Sequence, residues 1–330
     1  MKVATVVLNW NGASIIEPTL RSLKNQTIAT EIVVVDNAST DNSVELIEKK
    51  FADVTLLKNR TNLGFAGGVN TGIRYALDKG FDYVALLNND AVAEKNWLKH
   101  LVEALDKDSK VGIATCKFLR TDKKTIDSTG DFYTIWGLPF PRGRDQEDSG
   151  QFDKPEMVFG ASGGASLYRA KMLKQIGLFD EDFFAYYEDV DISFRAQLAG
   201  WKVAYVTKAE AYHMLGATNQ QVKGLATYQT LKNLPLLLWK NVPWALMLKV
   251  YPRFVIAWWA IGFSALHRGQ IWPFVKAIVV GGLLWPKKLW QRRKIQKNRQ
   301  VSIEHISSII DHDLPPNARK LRRLRNFVNR

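Results

Sequence analysis

Three short clusters of carboxylates and carboxamides could do chemistry in this chain: Asp36-Asn37, Asn88-Asn89-Asp90 and Glu188-Asp189-Val190-Asp191. An ionised carboxylate can hold a divalent cation, take a proton from a hydroxyl, or accept hydrogen bonds from a ribose or a base, and a carboxamide beside it adds donors. One acid among two amides at 88–90 is the sparse oxygen set that suits Mg²⁺ when substrate phosphates and water complete its shell, and a cation there would neutralise a departing diphosphate. The cluster Glu188 to Asp191 opens an amphipathic pattern running to Arg195, and an acid at a helix start is held anionic, as a general base must be. Capping accounts for one acid at that place and less readily for three. Asp36 to Asp41 combines side chains able to face a base or ribose with the N-terminal end of a helix, which attracts anionic groups. Each cluster alone is also an ordinary turn or cap sequence.

The elements that must position these clusters can be read from the apolar runs. Val3–Leu8, Ile32–Val35, Val54–Leu57, Tyr83–Leu87 and Val111–Phe118 are too short for helices and rich in β-formers, so they predict buried strands. Helical patterns separate them, at about 14–24 and 41–50, in a third stretch ending at about 79, and at about 94–105. Ser14 with Glu17 reads as a capping box, and Asp41 as a second cap. Strand and helix in alternation predict an α/β fold, a mostly parallel, doubly wound, Rossmann-like sheet whose strand ends carry the clusters. Asn62 to Gly72 does not have the glycine spacing of a dinucleotide fingerprint; its glycines allow close backbone approach to a nucleotide, with Asn62 and Asn70 supplying hydrogen bonds. Residues 120–156 are rich in Gly and Pro and read as irregular. A further block follows with Gly163-Gly164, helices at 170–176 and 189–199, a strand at 202–206, and His213.

Beyond His213 the chain becomes apolar and rich in Trp, in stretches at 234–239, 244–248, 254–266 and 271–285. Prolines 235, 243, 252, 273 and 286 punctuate them, and Lys or Arg interrupts each before the roughly 20 apolar residues of a spanning helix. Helices lying in a membrane interface are expected, with packing on the preceding domain as the plainer alternative. The 330 residues carry a formal charge of +14, and residues 287–330 hold 13 Lys or Arg against 3 Asp or Glu, leaving +10 of that excess in the tail. The single Cys116 rules out an internal disulfide and fits a reducing cytoplasmic setting as a buried thiol. An N-terminus that enters strand residues directly, with Asn9 and Asn11 interrupting any apolar run, argues against export.

Val6 to Asn11, Val34 to Asp41, Asn62 to Ala66, Leu87 to Asp90 and Tyr187 to Asp191, followed by His213, occur in order across residues 3–215 and resemble family 2 glycosyltransferases of GT-A fold, rhamnosyltransferase-like members in particular. The resemblance implies inverting transfer of a sugar from a nucleotide-diphosphate donor to a hydroxyl of a glycan or lipid-linked acceptor, assisted by Mg²⁺ or Mn²⁺, in cell-surface polysaccharide synthesis. It implies Asp36 at the base, Asn9, Asn62, Gly64, Asn70 and Asn89 along the nucleotide, and Asp90 and His213 on the metal. Asp189 would be the catalytic base, and Gly163, Gly164, Trp136 and Glu188 would face the acceptor. Asn88 stands where the family often has a second acid, which predicts a weaker metal site. The expected organisation is a catalytic domain at 1–215 and an apolar, membrane-interface region with a basic tail at 216–330, on the cytoplasmic face of the plasma membrane, peripheral and without nucleic acid. The competing expectations are a nucleotidyltransferase, and a nucleic-acid-binding protein acting through Arg319 to Arg325.

Overall fold

The structure is a computed structural model describing residues 1–214, 222–316 and 318. Its elements run β1 (Val3–Asn9), α1 (Ile16–Lys24), β2 (Glu31–Asp36), α2 (Ser43–Lys50), β3 (Thr55–Lys58), α3 (Gly64–Asp78), β4 (Tyr83–Leu87), β5 (Ala91–Ala93), α4 (Trp97–Lys107) and β6 (Val111–Arg120). After them come β7 (Ile126–Ser128), β8 (Asp131–Tyr133), β9 (Pro139–Pro141), β10 (Glu156–Val158), β11 (Ala165–Arg169), α5 (Ala170–Ile176), α6 (Glu188–Leu198) and β12 (Lys202–His213). The C-terminal helices are α7 (Leu225–Asn241), α8 (Trp244–His267), α9 (Ile271–Lys297) and α10 (Ile303–Ile309).

A ten-stranded sheet in the order β10-β12-β6-β11-β4-β1-β2-β3, with β5 on β12 and β7 on β6, forms the centre. Strands β3, β2, β1 and β4 are parallel, as the alternating pattern requires. The sheet as a whole is mixed, because β11 runs antiparallel to both β4 and β6. Apolar side chains on both faces of β1, β2 and β4 are buried under helices, which is why these strands read as near-continuous Val, Ile and Leu. The register sets Asn9 opposite Asp36, so both strands end together at the sheet's C-terminal edge.

Helix α3 lies close on this sheet. A Cβ on Gly68 would stand 2.3 Å from Leu8, and one on Gly72 would stand 2.5 Å from Val6. These glycines serve helix-to-sheet packing, where approach to a nucleotide was expected. Ser14 forms no capping box: Gly12 O takes the amides of Ile15 and Ile16, so the first helix begins at Ile16 with no side-chain cap.

The C-terminal helices share a core with the preceding α/β part of the chain. Tyr133, Phe159, Phe183, Val190 and Phe194 pack with Leu234, Leu237, Leu238, Met247 and Phe254 in one buried cluster. Pro235, Pro252 and Pro286 lie inside continuous helices, so they do not divide the apolar stretches as the sequence suggested. The expected boundary at 215/216 and the basic run 319–325 lie outside the described residues.

Candidate active site

The C-terminal ends of β1, β2 and β4 meet in a hydrogen-bonded floor. Asn9 Nδ2 donates to Asp36 Oδ1 at 3.0 Å, to Ser43 Oγ at 2.9 Å and to Ser39 Oγ at 3.2 Å. Asp36 Oδ2 accepts the Ser39 amide at 3.1 Å. Asn89 Nδ2 reaches Asn9 Oδ1 at 3.4 Å, and the space beside both is kept by Gly12, where a Cβ would come within 2.6 Å of either side chain. Asn9, Asp36 and Asn89 are buried, and Asn9 acts chiefly by fixing Asp36.

A second set of amides forms the adjoining loop. Asn37 Nδ2 donates to Asn62 Oδ1 (2.9 Å) and Gly64 O (3.0 Å), while Asn37 Oδ1 accepts from Asn59 Nδ2 and the Leu63 amide. The Gly64 amide goes to Asn62 Oδ1 at 2.8 Å. Both backbone groups of Gly64 are thus engaged within the protein, which fixes the shape of the loop. The Asn70 carboxamide pairs with both backbone groups of Phe179 and with Glu181, tying α3 to the segment before α6.

At the end of β4, His213 lies between two carboxylates. Its Nε2 is 3.2 Å from Asp90 Oδ1, its Nδ1 is 3.0 Å from Asp127 Oδ2, and its ring stacks on Phe118 with centroids 4.8 Å apart. Burial alone would lower the imidazole's pKa, but the hydrogen bonds to Asp127 and Asp90 overcome this and raise it to about 9. Among the described residues no group of three or more His, Cys, Asp or Glu is arranged to hold an ion. Asp90 and, once it gives up its Nε2 proton, His213 fit a hard cation that draws its remaining ligands from phosphate and water, with Asp127 fixing the ring as a carboxylate behind a ligating histidine does. Arg144 in turn holds Asp127 at 2.9 Å.

The third cluster opens α6. Asp189 Oδ2 accepts the Gly163 amide at 3.0 Å, and Asp189 Oδ1 accepts the Val190 amide at 2.8 Å. Gly164 O accepts the Asn88 amide at 2.9 Å, so 88–90, 162–164 and 188–189 form one connected corner, joined through Asn89 and Asn9 to Asp36. Burial raises the Asp189 pKa, and the two backbone donors draw it back only in part. Asp131 is raised much further, by burial and then by the charge of Asp189. Asp189 and Asp131 are electrostatically coupled, and burial raises both carboxyls above the usual aspartate range. Glu188 is likewise raised by burial and by Asp189, and its buried Oε2 has no hydrogen-bond partner among the described residues. Asp191, by contrast, is committed to Arg195, Lys240 and Asn241 and is structural.

The residues leading into Asp189 carry unusual backbone. Phe184, Tyr186 and Tyr187 have φ of 65°, 69° and 70°, each costing on the order of 1–3 kcal/mol unless the surroundings impose it. Trp136 packs half-buried against the core shared with the C-terminal helices. Sequence reasoning missed Asp127, Asp131 and Arg144, which lie in the stretch read as irregular; no periodicity marks them.

Comparison with known proteins agrees with this geometry. A family model described as "Glycosyl transferase family 2" matches residues 5–177. N-acetylglucosaminyl-diphospho-decaprenol L-rhamnosyltransferase of Mycobacterium tuberculosis is 29% identical over 218 residues, covering 58% of this chain and 70% of that one. Poly-beta-1,6-N-acetyl-D-glucosamine synthase of Staphylococcus epidermidis is 26% identical over 215 residues, covering 63% of this chain and 49% of that one. Among solved structures, S. aureus TarS 1-349 in complex with UDP aligns over 93% of this chain and 92% of its own, with TM-score 0.56 and 17% identity. GalNAc-T7 with UDP, GalNAc and Mn²⁺ aligns over 74% of this chain and 48% of its own, with TM-score 0.59 and 19% identity. These structural likenesses establish the fold.

Proposed function

Because the chain belongs to glycosyl transferase family 2, we propose that it moves a sugar, with inversion, from a nucleotide-diphosphate donor to a hydroxyl of a lipid-linked glycan during cell-surface polysaccharide synthesis. The observation carrying this reading is the connected corner in which the Asp36–Asn9–Asn89 floor meets Asp189 through Asn88, Gly164 and Gly163. The nucleotide lies over Asp36 and the Asn37–Asn62 loop. Asp189, half-buried and held by two amides, takes the proton of the attacking hydroxyl. Glu188 stands beside it on the acceptor side. Asp90 and His213 would hold a divalent cation, Mg²⁺ or Mn²⁺, which when bound supplies positive charge to the departing diphosphate. Arg144 adds a positive charge felt by Asp127, Asp131 and Asp189. Rhamnose is the first donor sugar to test, given the name of the mycobacterial relative.

The protein works as a peripheral protein on the cytoplasmic face of the plasma membrane. Supporting this are exposed apolar side chains on α8 and α9, including Leu248, Phe263, Trp272 and Leu283, together with the exposed cations Lys249, Arg253, Lys276 and Lys294 on the same helices. By length and composition α8 is also able to cross a bilayer. These cations and the helices' buried inner faces favour lying in an anionic interface. Flotation with vesicles containing phosphatidylglycerol, and none with pure phosphatidylcholine, is the expected result.

The deciding experiment is a thermal-shift screen of UDP-, GDP- and dTDP-sugars with and without Mn²⁺, followed by a product assay. A rise in melting temperature with one donor and release of its nucleoside diphosphate support the reading. A product retaining a nucleoside monophosphate would identify a nucleotidyltransferase instead.

A further inference from the structure

The turn Phe183–Tyr187 joins the nucleotide side of the site to the base. On one side, Phe184 O accepts the Ala66 amide at 3.0 Å, just inside the loop that begins α3. On the other side stands α7, from which the wholly buried Asn233 directs its Nδ2 at three carbonyl oxygens of the turn: Phe183 at 3.0 Å, Ala185 at 2.9 Å and Tyr186 at 2.8 Å. Lys232 Nζ adds the carbonyl of Asp182 at 2.8 Å, and the fully buried Lys288 of α9 bridges Asp180 at 2.5 Å and Asp182 at 2.7 Å. Left-handed backbone at residues bearing side chains persists where the surroundings over-determine it, and these groups are the surroundings.

Asn233 is an odd choice for stability alone. It sits on a helix whose neighbours Leu234, Leu236, Leu237 and Leu238 are core residues, and its Oδ1 has no hydrogen-bond partner among the described residues. A buried orphan acceptor costs folding free energy, and what the side chain secures in return is the shape of the turn. We propose that Asn233, backed by Lys232 and Lys288, is a positioning residue for the transfer step: it gathers the carbonyls of residues 183, 185 and 186, presses the turn against the nucleotide loop, and so sets where the Asp189 carboxylate stands. The inference rests on the reading of Asp189 as the base. The C-terminal helices thereby belong to the catalytic apparatus as well as to the surface that meets the membrane.

The test compares Asn233→Leu, Asn233→Gln and Leu246→Ala in the full chain. Leu246 is buried in the same core on α8 and appears in none of the turn's hydrogen bonds. A misplacement of about 1 Å costs roughly 100-fold in rate, so Asn233→Leu should lower kcat at least 50-fold while KM for the donor and affinity for its nucleoside diphosphate stay within threefold. Asn233→Gln, which keeps the amide, should recover part of kcat, and Leu246→Ala should lower the melting temperature while kcat holds. Hydrogen exchange at amides 184–190 should quicken in Asn233→Leu and not in Leu246→Ala. Should Asn233→Leu fail to fold, Lys232→Met carries the same expectation at 5- to 10-fold in kcat. An unchanged kcat in the folded variant, or loss of kcat and donor affinity together in step with melting temperature, overturns the proposal. If the wild-type chain releases no nucleoside diphosphate from any sugar nucleotide, the catalytic reading itself has failed, and unaltered exchange at 184–190 then independently sinks the positional claim.

Discussion

Gly64 and Gly80 share nearly the same backbone, with φ of +70° and +74°, in very different surroundings. Nothing lies within 4 Å of where a Cβ on Gly80 would stand, whereas one on Gly64 would meet Phe184 O at 2.4 Å and the Phe184 ring at 2.6 Å. Alanine at either position costs about 1 kcal/mol for the left-handed conformation. At Gly64 the Phe184 carbonyl must also retreat by about 1 Å to reach ordinary contact at 3.4 Å or beyond. That movement breaks the 3.0 Å bond from the Ala66 amide, a further loss of about 0.5–1.5 kcal/mol, and strains the turn. Gly64→Ala should therefore cost about 2–3 kcal/mol against about 1 for Gly80→Ala, a gap of several degrees in melting temperature. Because the displaced turn leads into Asp189, kcat should fall on the order of 100-fold for Gly64→Ala and hold for Gly80→Ala. Thermal denaturation and nucleoside diphosphate release measure the two effects. If the variants match each other in both, the argument that Phe184 locks the nucleotide loop to the base is wrong.

Asp189→Asn should lower kcat by about 10²–10⁴-fold and leave nucleoside diphosphate affinity intact, since its carboxylate bonds Gly163 and Val190 rather than the Asp36 floor; equal loss of affinity by calorimetry would contradict this. The base acts as an anion and burial raises its pKa, so wild-type kcat should decline as pH falls through a value above that of an ordinary aspartate, and an acid limb at the usual carboxylate pH would refute it. Asp127→Asn should weaken Mn²⁺ binding about 10–100-fold through loss of the group that orients His213, read as the midpoint of a Mn²⁺ thermal-shift titration with nucleotide present; an unmoved midpoint counts against the site. Asp131 retains its proton in the folded chain above the pH at which the unfolded chain releases it, so it contributes stability that is lost as pH rises through its elevated folded pKa. Asp131→Asn should accordingly gain on the wild type in denaturant titrations as pH rises above the ordinary aspartate range, and a constant difference would rule this out.

The parallel half of the sheet was legible because Val- and Ile-rich runs end at Asp and Asn, so that composition alone marks both the strand and its ligand-facing end. Observed limits of β1 to β4 fall within about two residues of the expected ones. The rest was hidden for physical reasons. Strands β7 to β10 have three residues each, too few for any periodicity, and they carry or border Asp127 and Asp131. Strand β12 continues past Val206 through Lys208 and Glu210 with a register shift against β6, and those charges concealed the path that delivers His213 beside Asp90. The antiparallel entry of β11 is set by long-range pairing, on which local sequence is silent. Clustered acids marked Asp189 as a candidate, and of the partners that commit Asp191 to structure only Arg195 is local, one helical turn on; Lys240 and Asn241 lie about fifty residues away.

The common core of α6, α7 and α8, with Lys288 of α9 buried against Asp180, also bears on how such a chain can diverge. Recombination between residues 214 and 222 would join helices to a catalytic half whose turn they had never shaped, leaving Asp180 and Asp182 without their lysines and the carbonyls of 183–186 without their amide. Segments 180–198 and 225–292 therefore form one packed unit, in which a change on either side has to be matched on the other rather than made by exchanging the helices alone.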